Sequence, residues 1–286
     1  MLPLESVPNF SEGRDRATID AIAGALAERA RLLDVHADAD HNRSVFTLVG
    51  EEDELADALL AGIGVAMERI DLRTHQGAHP RIGAADVVPI VPVVPGDLHR
   101  AQQCAAALGE RIGAELGLPV FVYDPPARGP AFYRRGDLAA RLAAGEVTPD
   151  YGPPALHETA GGTILGARRP LIAFNVNMRG DLSAVQEIAA VVRERGGGFP
   201  GVRALGLELR SRDLVQVSMN VEDWEAAALH DIVERIRTEA EARGLTVVES
   251  ELVGLMPAGA AAAAAGAMLA IDGFDASRLL ELRLLD

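Results

Sequence analysis

From residue 171 to residue 251 six segments follow one another with the hydrophobic periods of strand, helix, strand, strand, helix and strand. Alternating apolar positions mark strands over 171–176, 202–209, 214–219 and 246–251, and a period near 3.6 marks helices over 182–195 and 224–243. This is the β-α-β-β-α-β order of a split βαβ unit, which demands a sheet with its helices packed on one side. The first half opens in the same order. Strands are expected at 5–10, 32–36, 44–49 and 87–94, helices at 16–31 and 51–69, then a helix at 97–116 and a strand at 119–123. The fold class expected is therefore α/β with two such units, and a small-molecule cleft between them. Residues 124–166 break the alternation. They are rich in proline, glycine and arginine, with one helical piece near 136–144, and a segment of this kind is functional or a connector.

Charge narrows the chemistry. The net charge is -15, and every basic residue apart from histidine is arginine. Without lysine there is no Schiff base and no P-loop. With no basic cluster there is no face for nucleic acid, although a few convergent arginines can still bind a small anion. No apolar run approaches the roughly 20 residues of a membrane span, and the opening residues read as a strand rather than a signal peptide, so a cytoplasmic protein is expected. The single cysteine, Cys104, sits in a helical pattern and reads as a small buried hydrophobe.

Two polar segments hold four of the seven histidines: H-A-D-A-D-H-N-R, with His36 and His41, and T-H-Q-G-A-H-P-R, with His75 and His79. His79 is either a proton carrier, since imidazole titrates near neutrality, or a loop histidine satisfied by a backbone carbonyl. With Asp34, Asp38, Asp40 and Asp86 nearby in sequence, a metal site is a third reading. The four-residue spacing of His75 and His79 suits zinc only on a helix, which Gly77 and Pro80 disfavour. In V-P-N-F-S-E-G-R, residues 7–14, Ser11 is a candidate N-cap and Asn9 a local hydrogen-bonder; alternatively Asn9, Ser11 and Glu12 end a strand and face the cleft. The glycine clusters at 161–162 and 196–198 suit turns or close approach to a flat ligand. His99 and His230 lie in helical patterns and read as structural.

The motifs V-P-N-F-S-E-G-R, L-L-D-V, N-R-S-V-F-T-L-V-G, H-x-G-x-H-P-R-x-G-A-x-D-V, D-Y-G-P, G-A-R-R-P-L-I-A-F-N-V-N, L-V-Q-V-S-M-N and L-V-G-L-M-P run in order from residue 7 to residue 257. Together they resemble the glutamate formiminotransferase family, whose domain also forms the N-terminal half of formiminotransferase-cyclodeaminase. The resemblance implies two ferredoxin-like subdomains, here 1–168 and 169–286, around a folate-binding cleft, in a stand-alone, homodimeric, cytoplasmic enzyme of histidine catabolism. It implies transfer of the formimino group of N-formimino-L-glutamate to tetrahydrofolate as co-substrate, with no metal. It places the catalytic histidine on His79 and folate or substrate contacts on Asn9, Asn42, Arg81, Asp86, Gly152, Pro153, Thr159, Gly161, Gly201 and Gly206. Arg81 would bind a substrate carboxylate or form a structural salt bridge, and Asp34 or Asp86 would orient the imidazole. Three positions depart from the mammalian enzyme: Ala78 replaces an acidic residue, and His36 and His41 are added. The competing functions are formyl transfer from N-formylglutamate to the same folate, a non-catalytic folate-binding protein, and a metal-dependent hydrolase.

Overall fold

The computed structural model describes residues 2–123 and 128–284. The chain divides into two compact units, Met1–Arg169 and Pro170–Asp286. The first opens with β1 (Leu4–Ser6), β2 (Asn9–Phe10), α1 (Arg16–Ala27), β3 (Arg31–Asp38), β4 (Arg43–Gly50), α2 (Glu52–Arg69) and β5 (Ala85–Pro92). It continues with α3 (Leu98–Arg111), β6 (Val120–Val122), the short helices α4 (Pro130–Tyr133) and α5 (Leu138–Ala143), and β7 (Thr163–Ala167).

The strand expected at 5–10 is two short strands. Pro8 has no N–H to give to a ladder, so the pairing breaks there and only its carbonyl is used, by Phe46 N at 3.0 Å. Both pieces lie antiparallel between β4 and β5, with β3 outside β4. β7 and then β6 extend the sheet beyond β5, in parallel. β7 falls in the segment expected to be a connector. Its five residues include a glycine and follow a run of turn residues, so its periodicity is weak.

Helices α1, α2 and α3 bury Ile22, Leu26, Leu55, Leu59 and Leu108 against one face of this sheet, with Phe10, Phe46, Val88 and Leu165 beneath them. The opposite face is not bare near β5, β6 and β7. Val87, Phe121 and Ile164 point there, alternating with Val88, Val120 and Leu165, and are covered by Tyr133 and Leu138 from α4 and α5. The expectation of helices on one side alone thus fails for this half of the sheet. The proline-rich segment supplies a second small core, fastened where Tyr133 Oη donates to Val122 O at 2.6 Å.

The second unit runs β8 (Ile172–Arg179), α6 (Leu182–Val192), β9 (Val202–Leu209), β10 (Leu214–Val221), α7 (Leu229–Ala242), β11 (Thr246–Val253), α8 (Ala258–Leu269) and α9 (Leu280–Arg283). Its sheet is antiparallel in the order β11-β8-β10-β9. One face packs Val176, Met178, Val217 and Met219 on Ile188, Ile232 and Ile236 of the helices. The other carries a polar ladder in which Gln216 Nε2 donates to Asn177 Oδ1 at 2.9 Å and Asn177 Nδ2 to Glu249 Oε1 at 3.1 Å. Among the described residues no helix is long and apolar enough to cross a membrane.

Candidate active site

Three polar segments of the sequence meet in the first unit. The β3–β4 hairpin turns through Asn42, whose φ of 47° is a left-handed conformation that asparagine tolerates. Its Oδ1 accepts from Gly13 N at 2.9 Å and its Nδ2 donates to Gln76 O at 3.0 Å, joining residues 7–14 and 74–81 to the hairpin. Ala78 N donates to Asp40 O at 3.0 Å. Gly77 is required by this approach, because a Cβ there would lie 2.2 Å from His41 O.

Arg81 completes the lacing. Its Nη2 donates to His41 O at 3.0 Å, its Nη1 to Asn42 O at 3.1 Å, and Nε and Nη2 to His79 O at 3.2 and 2.6 Å. Nη1 also lies 2.6 Å from His75 Nδ1, so the imidazole of His75 is turned onto this guanidinium. Arg81 therefore clamps loop carbonyls, and its hydrogen bonds among the described residues include no salt bridge of the kind considered from sequence. Burial, with Arg43 nearby, pulls its guanidinium down to about 10.

His79 is half-buried on the loop held by this clamp. Its Nδ1 is 2.8 Å from Pro80 O. A carbonyl can only accept, so Nδ1 carries the proton and Nε2 keeps its lone pair. The carbonyl bond that one sequence reading expected is present, and it leaves Nε2 as the unprotonated nitrogen. The ring stacks on His41, with centroids 6.0 Å apart and planes at 27°. Burial, and after it the positive charges of Arg43 and Arg134, hold the imidazole well below its ordinary pKa; Asp86 opposes them.

Asp86 owes its position to a β-bulge. Phe10 pairs with Ala85 and Asn9 with Val87, leaving Asp86 as the extra residue. Its side chain is fully buried. It accepts from Arg43 Nη1 at 2.6 Å, from Ile82 N at 2.7 Å and from Arg134 Nη2. Burial alone would raise this carboxyl, but Arg134, Arg43 and the Ile82 N–H outweigh it and hold the group well below the usual carboxylate range. Arg43 Nε is taken by Asn9 Oδ1 at 3.0 Å. The described hydrogen bonds of Asp86 go to Arg43, Ile82 and Arg134, and its charge opposes theirs at His79. Asp34 sits on β3 opposite Thr47, and the charges acting on His79 are Arg43, Arg134 and Asp86.

A cavity of about 590 Å³ opens beside this cluster, lined by His79, Pro80, Arg81, Tyr133, Arg134 and Leu156 among others. Gly161 closes one end of the loop. It forms an antiparallel bridge with Gly83, and its φ of +69° would set a Cβ 2.1 Å from Ile82 O. The 161–162 glycine pair thus serves close approach to the chain itself. Thr159 O accepts from Leu72 N at 2.8 Å, beside the His157 turn. Gly152, with Pro153 after it, backs onto Leu118 O, while Gly201 lies on Asp223 and Gly206 on the α6 backbone at Gln186, both within the second unit. Ser11 is not an N-cap. It donates through Oγ to Gly83 O at 2.7 Å, and Asp15 caps α1. Cys104 is buried in α3, where burial, with Glu52 nearby, raises its thiol to about 11. Among the described residues no three His, Cys, Asp or Glu side chains gather as a metal site.

Arg134 is the residue that sequence reasoning passed over. Its only sequence signal was membership of the arginine-rich segment 124–166, and the first four residues of that segment lie outside those described. Arg43 was visible only as a letter of D-H-N-R and N-R-S-V-F-T-L-V-G.

The family model described as "Formiminotransferase domain, N-terminal subdomain" matches residues 3–168, and that described as "Formiminotransferase domain" matches residues 173–272. The chain is 39% identical over 283 residues to a glutamate formimidoyltransferase of Streptococcus pyogenes, covering 95% of each protein. It is 39% identical over 297 residues to one from Thermoplasma acidophilum, covering 98% of this chain and 97% of that protein. A formimidoyltransferase-cyclodeaminase of Rattus norvegicus is 40% identical over 270 residues, which are 89% of this chain and 50% of the rat protein.

Proposed function

The chain belongs to the formiminotransferase domain family, and from that premise we propose that it transfers a formimino group from N-formimino-L-glutamate to tetrahydrofolate. The products are glutamate and 5-formiminotetrahydrofolate. The near full-length identity to two glutamate formimidoyltransferases is the observation that carries the reading.

In this account N5 of tetrahydrofolate attacks the amidine carbon and forms a C–N bond. His79 Nε2 takes the proton that N5 gives up. The tetrahedral adduct then collapses. Its bond to the glutamate nitrogen breaks, and the imidazolium returns the proton to that nitrogen as it leaves. Three observations support His79 in this role: the tautomer fixed by Pro80 O, the position on the cavity wall, and an environment that keeps the ring neutral before reaction. A low pKa makes the imidazole a poor reservoir for the proton and a good donor to the leaving amine. An amidinium carbon is already electrophilic, so the chain's own groups suffice. Asn9, Asn42 and Asp86 belong to the framework that holds the loop and its charges, and Gly152, Pro153, Thr159, Gly161, Gly201 and Gly206 are the proposed folate contacts.

The same reading takes residues 1–168 and 169–286 as two ferredoxin-like subdomains. The β-α-β-β-α-β order of both supports it, as does the order β11-β8-β10-β9, in which the first strand of the unit lies between the third and fourth. A cytoplasmic homodimer is part of the proposal, and sedimentation velocity tests the dimer. The activity is tested by incubating the protein with tetrahydrofolate and either N-formiminoglutamate or N-formylglutamate and following folate absorbance. Transfer from the formimino donor is expected. Turnover confined to the formyl donor, or folate binding with neither turnover, overturns the reading.

A further inference from the structure

Among the described residues the charges around His79 do not balance. Arg43 and Arg134 share the single carboxylate of Asp86, which leaves one positive charge over at a site where both arginine side chains are at most 15% exposed. Arg81 adds another cation whose hydrogen bonds go to three carbonyls and an imidazole, with no carboxylate among them. Asp137 also lines the cavity, but its side chain accepts from Ala140 N as the cap of α5. Glu12 lies near His75, with its carboxylate on the Arg14 and Asp15 amides. An excess of buried cation in a chain of net charge -15 is a built place for an anion.

The three arginines are not equivalent. Arg43 spends Nε on Asn9 and Nη1 on Asp86. Arg81 is saturated by the loop. The Arg134 side chain makes one described hydrogen bond, through Nη2 to Asp86; its Nε–H is buried and has no partner among the described residues, and the residue lines the cavity with His79. Its guanidinium fork therefore retains donors for a second carboxylate.

The proposed donor presents such a group at the right remove. In N-formimino-L-glutamate the α-carboxylate lies three covalent bonds from the amidine carbon, whereas the γ-carboxylate lies at the end of a flexible chain. With the amidine carbon at His79, the α-carboxylate is held close to the same cavity wall. We propose that Arg134 binds the α-carboxylate of the formimino donor and selects α-amino-acid amidines. This rests on the transfer activity proposed above. The role that the sequence offered to Arg81 passes to Arg134.

The test combines donors with variants at saturating tetrahydrofolate. The donors are N-formiminoglutamate, N-formimino-γ-aminobutyrate (no α-carboxylate) and N-formiminoglutamine (no γ-charge). Wild-type protein should lose about 10- to 100-fold in kcat/KM with the aminobutyrate donor, the range expected for a charge-assisted hydrogen bond. Arg134→Gln should lose a similar factor on N-formiminoglutamate and nothing further when the α-carboxylate is removed. Arg134→Lys should recover part of the discrimination. A uniform loss on all donors would mean that Arg134 acts only through Asp86, and would overturn the proposal. So would a loss that follows the γ-amide, or one that vanishes when tetrahydropteroate replaces tetrahydrofolate and so belongs to the folate tail. Should Arg134→Gln not fold, the wild-type donor series and Arg134→Lys still decide: a wild type indifferent to the α-carboxylate contradicts the assignment. No transfer from any donor would instead bring down the proposed function, and this inference with it.

Discussion

Arg43 reaches over β2 to Asp86, its Nη1 2.6 Å from Oδ2, so that a strand and a bulge two ladders apart are joined by one buried ion pair. Asn9 on the intervening strand receives the same guanidinium at Nε. The pair matters because Asp86 also holds the Ile82 amide and Arg134. One carboxylate thus ties the end of the His79 loop, the hairpin strand β4 and the α4 segment together.

Asp86→Asn should therefore destabilise the protein by about 3–5 kcal/mol, since two buried guanidiniums lose their counter-charge. The folded-state pKa of Asp86 is depressed, so its contribution is full above the ordinary aspartate value of about 3.9 and is lost as pH falls through the lower folded value. Urea unfolding of wild type and variant at neutral pH checks this. Equal midpoints would show that the ion pair adds nothing.

The neutral state of His79 has a measurable signature. Its folded pKa lies well below the ordinary value of about 6.5. Between those two values the unfolded chain binds a proton that the folded chain refuses, so stability is retained above about 6.5 and declines as pH falls beneath it. The acid limb of kcat/KM should lie below 6.5 as well, and Arg134→Gln should move it upward by removing a nearby positive charge. An imidazole titration followed by NMR reads both directly; a midpoint at or above 6.5 in the wild type would contradict them.

Much of this was legible in the sequence, and the lapses have physical causes. The order of strands and helices and the three polar segments around Asn9, Asn42 and His79 were readable because each has a local pattern. Arg134 had none. Its partner Asp86 is 48 residues away, and the bulge that turns Asp86 toward it follows from the register of β2 on β5, which no single segment encodes. The choice left open for Arg81, between a substrate carboxylate and a structural salt bridge, was not decidable from sequence for the same reason, since its partners are carbonyls placed by the turn at Asn42. Pro8 was visible, but its effect depended on which neighbours needed an N–H.

Gly161→Ala should cost at least about 1–3 kcal/mol from the left-handed backbone alone. It should also lower activity, since the new Cβ would press on Ile82 O beside the amide that holds Asp86. Thermal unfolding and turnover measured together check this; a variant with wild-type values in both would show that the loop has another support.

Cys104 should be inert in the folded protein. Its thiol is buried and raised to about 11, so little thiolate exists at pH 8. Ellman titration should find no reactive thiol until denaturant is added, and Cys104→Ala should keep full turnover. Rapid labelling of the native protein would show that α3 opens there.

His79 is the proposed proton carrier, and His79→Ala tests that role most directly. The side chain is on a surface loop whose lacing runs through Asn42, Gly77 and Arg81, so the variant should keep the wild-type far-ultraviolet circular dichroism and unfolding cooperativity. Single-turnover formimino transfer to tetrahydrofolate should then be slower by about 10²- to 10⁴-fold. A folded His79→Ala protein that transfers the group within a few-fold of the wild-type rate would contradict the mechanism.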